Sequence, residues 1–144
     1  MTDAQRSIEI AAPLARVWEV IADVEAWPRW TASMREIRRL DAGPFGVGSR
    51  ARVKQPGLPT LVWEVTALDP GSRFVWAARS AGVLTTGSHV VTGSGDGSRL
   101  TLSIDWAGPF AGLVRALTGR RTGRFLEQET TGAKAFAEAG VGAG

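Results

Sequence analysis

Residues Val17–Trp30, VWEVIADVEAWPRW, hold three of the chain's six tryptophans, with a proline between the last two. Leu14, Val17, Trp18 and Ile21 fall at helical spacing, so Leu14–Ala22 is expected to be an amphipathic helix. Pro13 suits its start, because a first-turn residue needs no N–H. Asp23 then reads as the cap of a second short helix, which Pro28 stops by fixing its own φ and removing a donor. A plain surface helix needs neither the aromatic spacing nor the proline. Trp18, Trp27 and Trp30 therefore mark a junction where two short helices meet something else.

Outside this junction the pattern has period two. Arg6–Ile10 reads as a strand before the helices. After them come Ser33–Leu40, Ser49–Gln55, Leu61–Leu68, Arg73–Arg79, Val83–Thr92 and Arg99–Trp106. The breakers are short, and Asp69–Ser72 and Gly95–Ser98 are strong turn signals. Links this short imply antiparallel hairpins. Pro109–Glu138 then reads as one long helix, weakened in its middle by Gly119 and Gly123, with a frayed end at Gly140–Gly144. The expected architecture is α+β: a curved seven-stranded antiparallel sheet wrapped around a long C-terminal helix, with two short helices after strand 1. It forms one domain over 1–144, with an ordered core of about 6–138.

Composition bounds the function. Of 144 residues, 44% are hydrophobic and 22% charged, as in an ordinary globular chain. No run of about 18 apolar residues is present, so no membrane span is expected. The polar start MTDAQRSIEI lacks an apolar signal core, so the chain reads as cytoplasmic. Without cysteine there is no disulfide, thiolate metal site or thiol nucleophile. The net charge of +3 is spread over the chain, and aromatics do not interleave with the cations, so no nucleic-acid partner is expected. Arg35, Arg38, Arg39, Arg50, Arg52 and Lys54 are assigned to the convex, solvated face of the sheet. Arg120 or Arg124 can pair with Glu127 or Glu129 along the helix.

Alternation assigns strand faces. The apolar sets are Leu61, Trp63, Val65 and Ala67; Phe74, Trp76 and Ala78; and Leu100, Leu102, Ile104 and Trp106. Aligning them puts Trp63 opposite Ala78 and Trp76 opposite Thr85, and turns Thr85 and His89 inward. The interior is then rich in tryptophan (Trp63, Trp76, Trp106), with Met34 and Phe125 beside it and Trp27 and Trp30 at its wall. Its polar groups are His89, Thr85 and Gln128. Apolar walls with few polar groups suit an aromatic or hydrophobic ligand; alternatively, the rings simply fill the space. His89 is the one histidine, so it is the candidate acid/base and cannot build a multi-histidine metal site. Asp105 and Arg79 alternate outward. No GxSxG, Walker or Rossmann pattern occurs.

The run I-x-A-P-x-x-x-V-W-x-x-I-A-D-V-E-x-W-P-x-W, from Ile10 to Trp30, resembles the START-like (SRPBCC, Bet v 1-like) superfamily, in its polyketide cyclase/dehydrase-like branch of small bacterial proteins. Gly48-Ser49-Arg50, Asp69-Pro70-Gly71 and Gly97–Thr101 add to the likeness, which runs from about Ser7 to Glu138. It implies a helix-grip fold with a cavity between sheet and helix, closed at one end by the short helices. Three roles follow from the resemblance. One is binding of a hydrophobic, polyketide- or lipid-like small molecule by Trp27, Trp30, Met34, Trp63, Trp76, Thr85, His89, Trp106 and Phe125. Another is cofactor-independent cyclisation or dehydration, with His89 as acid/base. The third is a protein-partner role like that of Hsp90-activator relatives. No metal or cofactor is implied, and an exposed sheet edge would permit a homodimer.

Overall fold

The computed structural model describes residues 2–142. Strand β1 (Ala4–Ile10) leads into helix α1 (Leu14–Ala22) and a 3-10 helix (Val24–Arg29). Strands β2 (Glu36–Arg39), β3 (Arg50–Lys54), β4 (Leu61–Asp69), β5 (Arg73–Ser80), β6 (Val83–Ser94) and β7 (Gly97–Ala107) follow, then helix α2 (Ala111–Gly142). All pairings are antiparallel, in the order β1-β7-β6-β5-β4-β3-β2. Longer loops join β2 to β3 and β3 to β4, while strands β4 to β7 pair in sequence through tight turns. Asp69–Ser72 is one: Ser72 N–H donates to the Asp69 carbonyl at 3.0 Å, and Gly71 takes the positive φ of 83° that a turn with Pro70 ahead of it requires.

The inward face follows the sequence reading, with two corrections. Trp76 pairs with Gly87 and not Thr85, while Thr85 pairs with Ala78 and Trp106. The offset is two residues, so Thr85 and His89 keep the inward face that a one-residue slip would have reversed. In β4 a bulge lies between Val65 and Ala67. Beyond it Ala67 faces Val75, and Leu68 takes the inward place opposite Phe74. Gly87 explains the Trp76 position, since a Cβ there would sit 3.2 Å from the indole; the glycine lets the ring lie close over β6.

The junction at Val17–Trp30 is a corner of the core. Val17, Ile21, Val24 and Trp27 are all buried. Asp23 makes no side-chain cap, contrary to expectation; its own N–H closes α1 on the Glu19 carbonyl and the chain turns directly into the 3-10 helix. Pro28 lies inside that helix. Trp27 donates its indole N–H to the Ile21 carbonyl at 3.0 Å, which ties the two short helices together.

Helix α2 runs unbroken past Gly119 and Gly123 and through Gly140 to Gly142; the last two residues of the expected frayed end lie outside the described residues. Gly123 is buried against the Arg6 guanidinium of β1, so it serves as a close-approach position and not a hinge. Gly132 is tighter still: a Cβ would stand 1.9 Å from the Trp30 carbonyl oxygen. Alanine at 132 gains about 1 kcal/mol of helix propensity, but the contact is with backbone and cannot yield cheaply. Overpacking costs about 1–3 kcal/mol, and a 1.9 Å approach to backbone belongs at the upper end, so after the propensity gain we expect Gly132→Ala to lose a net of about 2 kcal/mol; an unchanged urea midpoint would contradict the close approach.

The cations depart from the sequence reading at two places. Arg39 pairs across the strands with Ala51, on the inward face beside Ile37 and Val53. Its guanidinium bonds Asp41 and the Gly43 carbonyl and lies over the Phe45 ring, so it closes the β2–β3 loop. Neither Arg120 nor Arg124 is paired with Glu127 or Glu129 among the described residues. Glu129 is buried, on the face of the helix turned away from those arginines.

Candidate functional site

The concave face of the sheet and the N-terminal two-thirds of α2 enclose a cavity of about 460 Å³. The sheet supplies Trp63 from β4, Trp76 from β5, Thr85 and His89 from β6, and Leu102, Ile104 and Trp106 from β7. Met34 and Trp27 come from the segment after α1. Helix α2 contributes Val114, Thr118, Thr122, Phe125, Leu126 and Glu129, a ladder at three- and four-residue spacing. Eight of the nine residues expected from sequence are thus on one wall system. Trp30 is the exception. It ends the 3-10 helix and turns out under α2, where its backbone meets Gly132, and its buried indole N–H has no partner among the described residues. Gln128 also lies outside, exposed on the far side of α2.

The rings pack as a chain. Trp27 touches Trp76 and His89, at centroid distances of 5.5 and 5.3 Å, and Trp76 touches Trp63 at 5.5 Å. His89 stacks on Phe74 at 4.1 Å and 13°. These contacts fill the floor and leave the volume toward the mouth empty. The mouth is apolar: Phe110 and Leu113 stand half-exposed at the start of α2, facing Leu58 and Pro59 of the β3–β4 loop across the opening.

Two ionisable groups line this cavity. His89 is 5% exposed, and its Nδ1 lies 3.2 Å from the Phe74 carbonyl. A carbonyl only accepts, so Nδ1 carries the proton and Nε2 is left as an unprotonated acceptor. Burial pulls the ring down to about 4, against the Phe74 carbonyl, which favours the charged form. The second group, Glu129, was missed by sequence reasoning. It is 5% exposed; its Oε2 accepts from Ser33 Oγ at 2.9 Å, and Ser33 in turn bonds Thr31 Oγ1 at 2.8 Å. Burial pushes its carboxyl up to about 7, with the Ser33 bond acting the other way. Its place in the Phe125–Leu126–Glu129–Ala133 ladder was the available signal. None of the chain's arginines or lysines lines the cavity.

A family profile described as "Polyketide cyclase / dehydrase and lipid transport" matches residues 1–138. The chain belongs to this family. Among solved structures, a hypothetical protein of Helicobacter pylori superposes with a TM-score of 0.80 at 12% identity, covering 93% of this chain and 86% of that one. An aromatase/cyclase of Streptomyces sp. R1128 gives 0.73 at 17%, covering 96% and 94%. Identities this low establish the fold alone. An uncharacterized protein of Mycobacterium tuberculosis is 30% identical over 53 residues, 37% of this chain; the match spans about a third of that relative, 32% of its length. Membership of the polyketide cyclase/dehydrase family links the chain to small-molecule binding or a cyclase role. Among the described residues no helix is long and apolar enough to cross a membrane.

Proposed function

We propose that the protein binds a hydrophobic or aromatic small molecule, polyketide- or lipid-like, in the cavity between sheet and α2. The observation that carries this reading is the empty volume itself. Six aromatic side chains pack around it without filling it, and about 460 Å³ lies within the range of drug-sized ligand pockets. Tightly packed interiors leave few voids larger than a water molecule, which counts against rings serving as filler alone. Indole faces offer flat stacking surface, and Thr85, His89 Nε2 and Glu129 offer the few polar contacts that orient a ligand.

A second reading, cofactor-independent cyclisation or dehydration, is favoured by one specific observation. The cavity holds an unprotonated histidine nitrogen and a carboxyl that keeps its proton up to about pH 7, the two halves of acid/base catalysis. Cyclisation of a poly-carbonyl chain needs a proton removed from carbon and one delivered to oxygen. His89 Nε2 can do the first and Glu129 the second.

Native mass spectrometry of the purified protein, with extraction and identification of the retained molecule, tests the binding reading. We expect a small apolar molecule, lost when Trp106→Ala opens the wall. A chain that is empty, and whose tryptophan fluorescence does not respond to aromatic polyketides, would sink it. Turnover of the identified molecule, abolished by His89→Ala, separates the enzyme from the carrier.

A further inference from the structure

The cavity wall has an unusual charge balance. Fifteen arginines and two lysines occur in the chain, and none of them reaches the cavity. Its one acidic side chain, Glu129, is nine-tenths buried on the inner face of α2 and has a single protein partner, Ser33 Oγ at Oε2. Oε1 makes no hydrogen bond among the described residues and is not among their closed-off buried polar atoms, so it borders accessible space. A carboxyl in such a place normally meets a cation or several N–H donors; here the cavity it lines holds no cationic side chain. The same cavity is lined by Trp27, Trp63, Trp76 and Trp106, and indole rings attract cations and repel anions at their faces. His89 is the other titratable group on the wall, and burial keeps it neutral. From the remaining elements packed around Glu129, Thr31, Ser33 and Gln55 bring only uncharged polar groups.

Resting on the cavity-binding reading, we infer that the ligand is an aromatic or hydrophobic molecule carrying a basic nitrogen, whose ammonium supplies the cation that Glu129 lacks and whose apolar body lies along the indole-lined wall. A carboxylate ligand would face Glu129 and the negative ring faces with no cation to meet it, so the same wall rejects acids. A purely hydrocarbon ligand uses the apolar surface and leaves the carboxyl unpaired.

The amine also sets the sign of a pH effect. An alkyl ammonium stays protonated throughout the neutral range, so any titration near neutrality belongs to the protein. Glu129 must lose its proton to form the ion pair. Below about 7 only a fraction of the protein is competent, and apparent affinity falls by that fraction.

Isothermal titration with three probes of one shape tests this: 2-(2-naphthyl)ethylamine, 2-ethylnaphthalene and 2-naphthylacetic acid. We expect the amine to bind at least about tenfold tighter than the other two, as one charge-assisted hydrogen bond would give. Its Kd should fall about tenfold per pH unit from pH 5 to 7 and level off above. Glu129→Gln, close in shape and uncharged, should remove both the preference and the pH slope while the hydrocarbon still binds. Should that variant fail to fold, the wild-type pH slope for the amine against the hydrocarbon carries the same test. Equal or tighter binding of the acid or the hydrocarbon, or a preference surviving in Glu129→Gln, overturns the inference and leaves the binding reading standing. Failure of all three probes to bind at any pH overturns both.

Discussion

Replacing Trp27 with alanine is expected to cost about 3–5 kcal/mol, the range for deleting a fully buried tryptophan. That is a large share of the roughly 5–15 kcal/mol that holds a domain folded. Trp27 is 1% exposed and touches Trp30, Phe74, Trp76 and His89, four rings from three separate segments. Its indole N–H also holds the end of α1 through Ile21. Truncation therefore opens a hole at the corner where the short helices meet the sheet, and neighbours anchored on strands cannot close it. Trp106 provides the contrast. It packs in a smaller cluster with Val83 and Ala111, and one side of its ring already borders empty volume. Trp106→Ala should cost less, keep the native near-ultraviolet circular dichroism, and lose ligand. Trp27→Ala should lose the aromatic dichroism and unfold at much lower urea. A Trp27→Ala protein within about 1 kcal/mol of wild type would mean that the cluster is not the keystone of the fold.

The three tryptophans that open the chain's junction thus have three roles. Trp18 packs edge-on against Phe74 as structure. Trp27 joins core and cavity. Trp30 anchors the far side of α2 and has no place on the cavity wall. Sequence spacing could not separate the last two, because Pro28 sits between them and the 3-10 helix ends at Trp30, so neither helical nor strand periodicity extends across the pair. Strand faces were legible, since period two survives a register error of two residues: Trp76 meets Gly87 in place of Thr85, yet His89 and Thr85 still point inward. Where an extra residue enters, as at Thr66, alternation fails beyond it and Leu68 displaces Ala67. Glu129 escaped for a different reason. A glutamate in an arginine-rich helix reads as a surface partner, and only the helix packed against the curved sheet shows that its rung of the ladder faces a void. Arg39 repeats the lesson in reverse, with a charge on an inward rung held by its own loop through Nη1 and Nη2.

The two groups that define the cavity chemically should also shape the pH dependence of folding, in opposite directions. The folded protein holds the Glu129 proton more tightly than the unfolded chain does, up to about 7 against an ordinary 4.5. Raising the pH through that window therefore favours unfolding. His89 does the reverse. Its folded value of about 4 lies below the ordinary 6.5, so the unfolded chain takes up the proton first as pH falls, and stability rises with pH between those values. Each window spans two and a half pH units, worth about 3 kcal/mol at about 1.4 per unit. The windows overlap from 4.5 to 6.5, where the two slopes cancel and the wild-type urea midpoint should be nearly flat. Asp3, Glu9, Asp41 and Glu138 do not disturb this balance, because their carboxyls are held below their ordinary values and act only at lower pH. Single variants expose the cancellation. Glu129→Gln should grow more stable from pH 4.5 to 6.5 by about 3 kcal/mol, while His89→Gln should lose about the same from pH 4.5 to 7. Slope is the quantity to read, since a lost Phe74 contact or a repacked ring shifts every pH equally. A wild-type midpoint that already rises with pH as steeply as that of Glu129→Gln would show that the carboxyl titrates in the folded state as it does in the unfolded chain. The electrostatic account of the cavity, and the ligand class inferred from it, would then fail together.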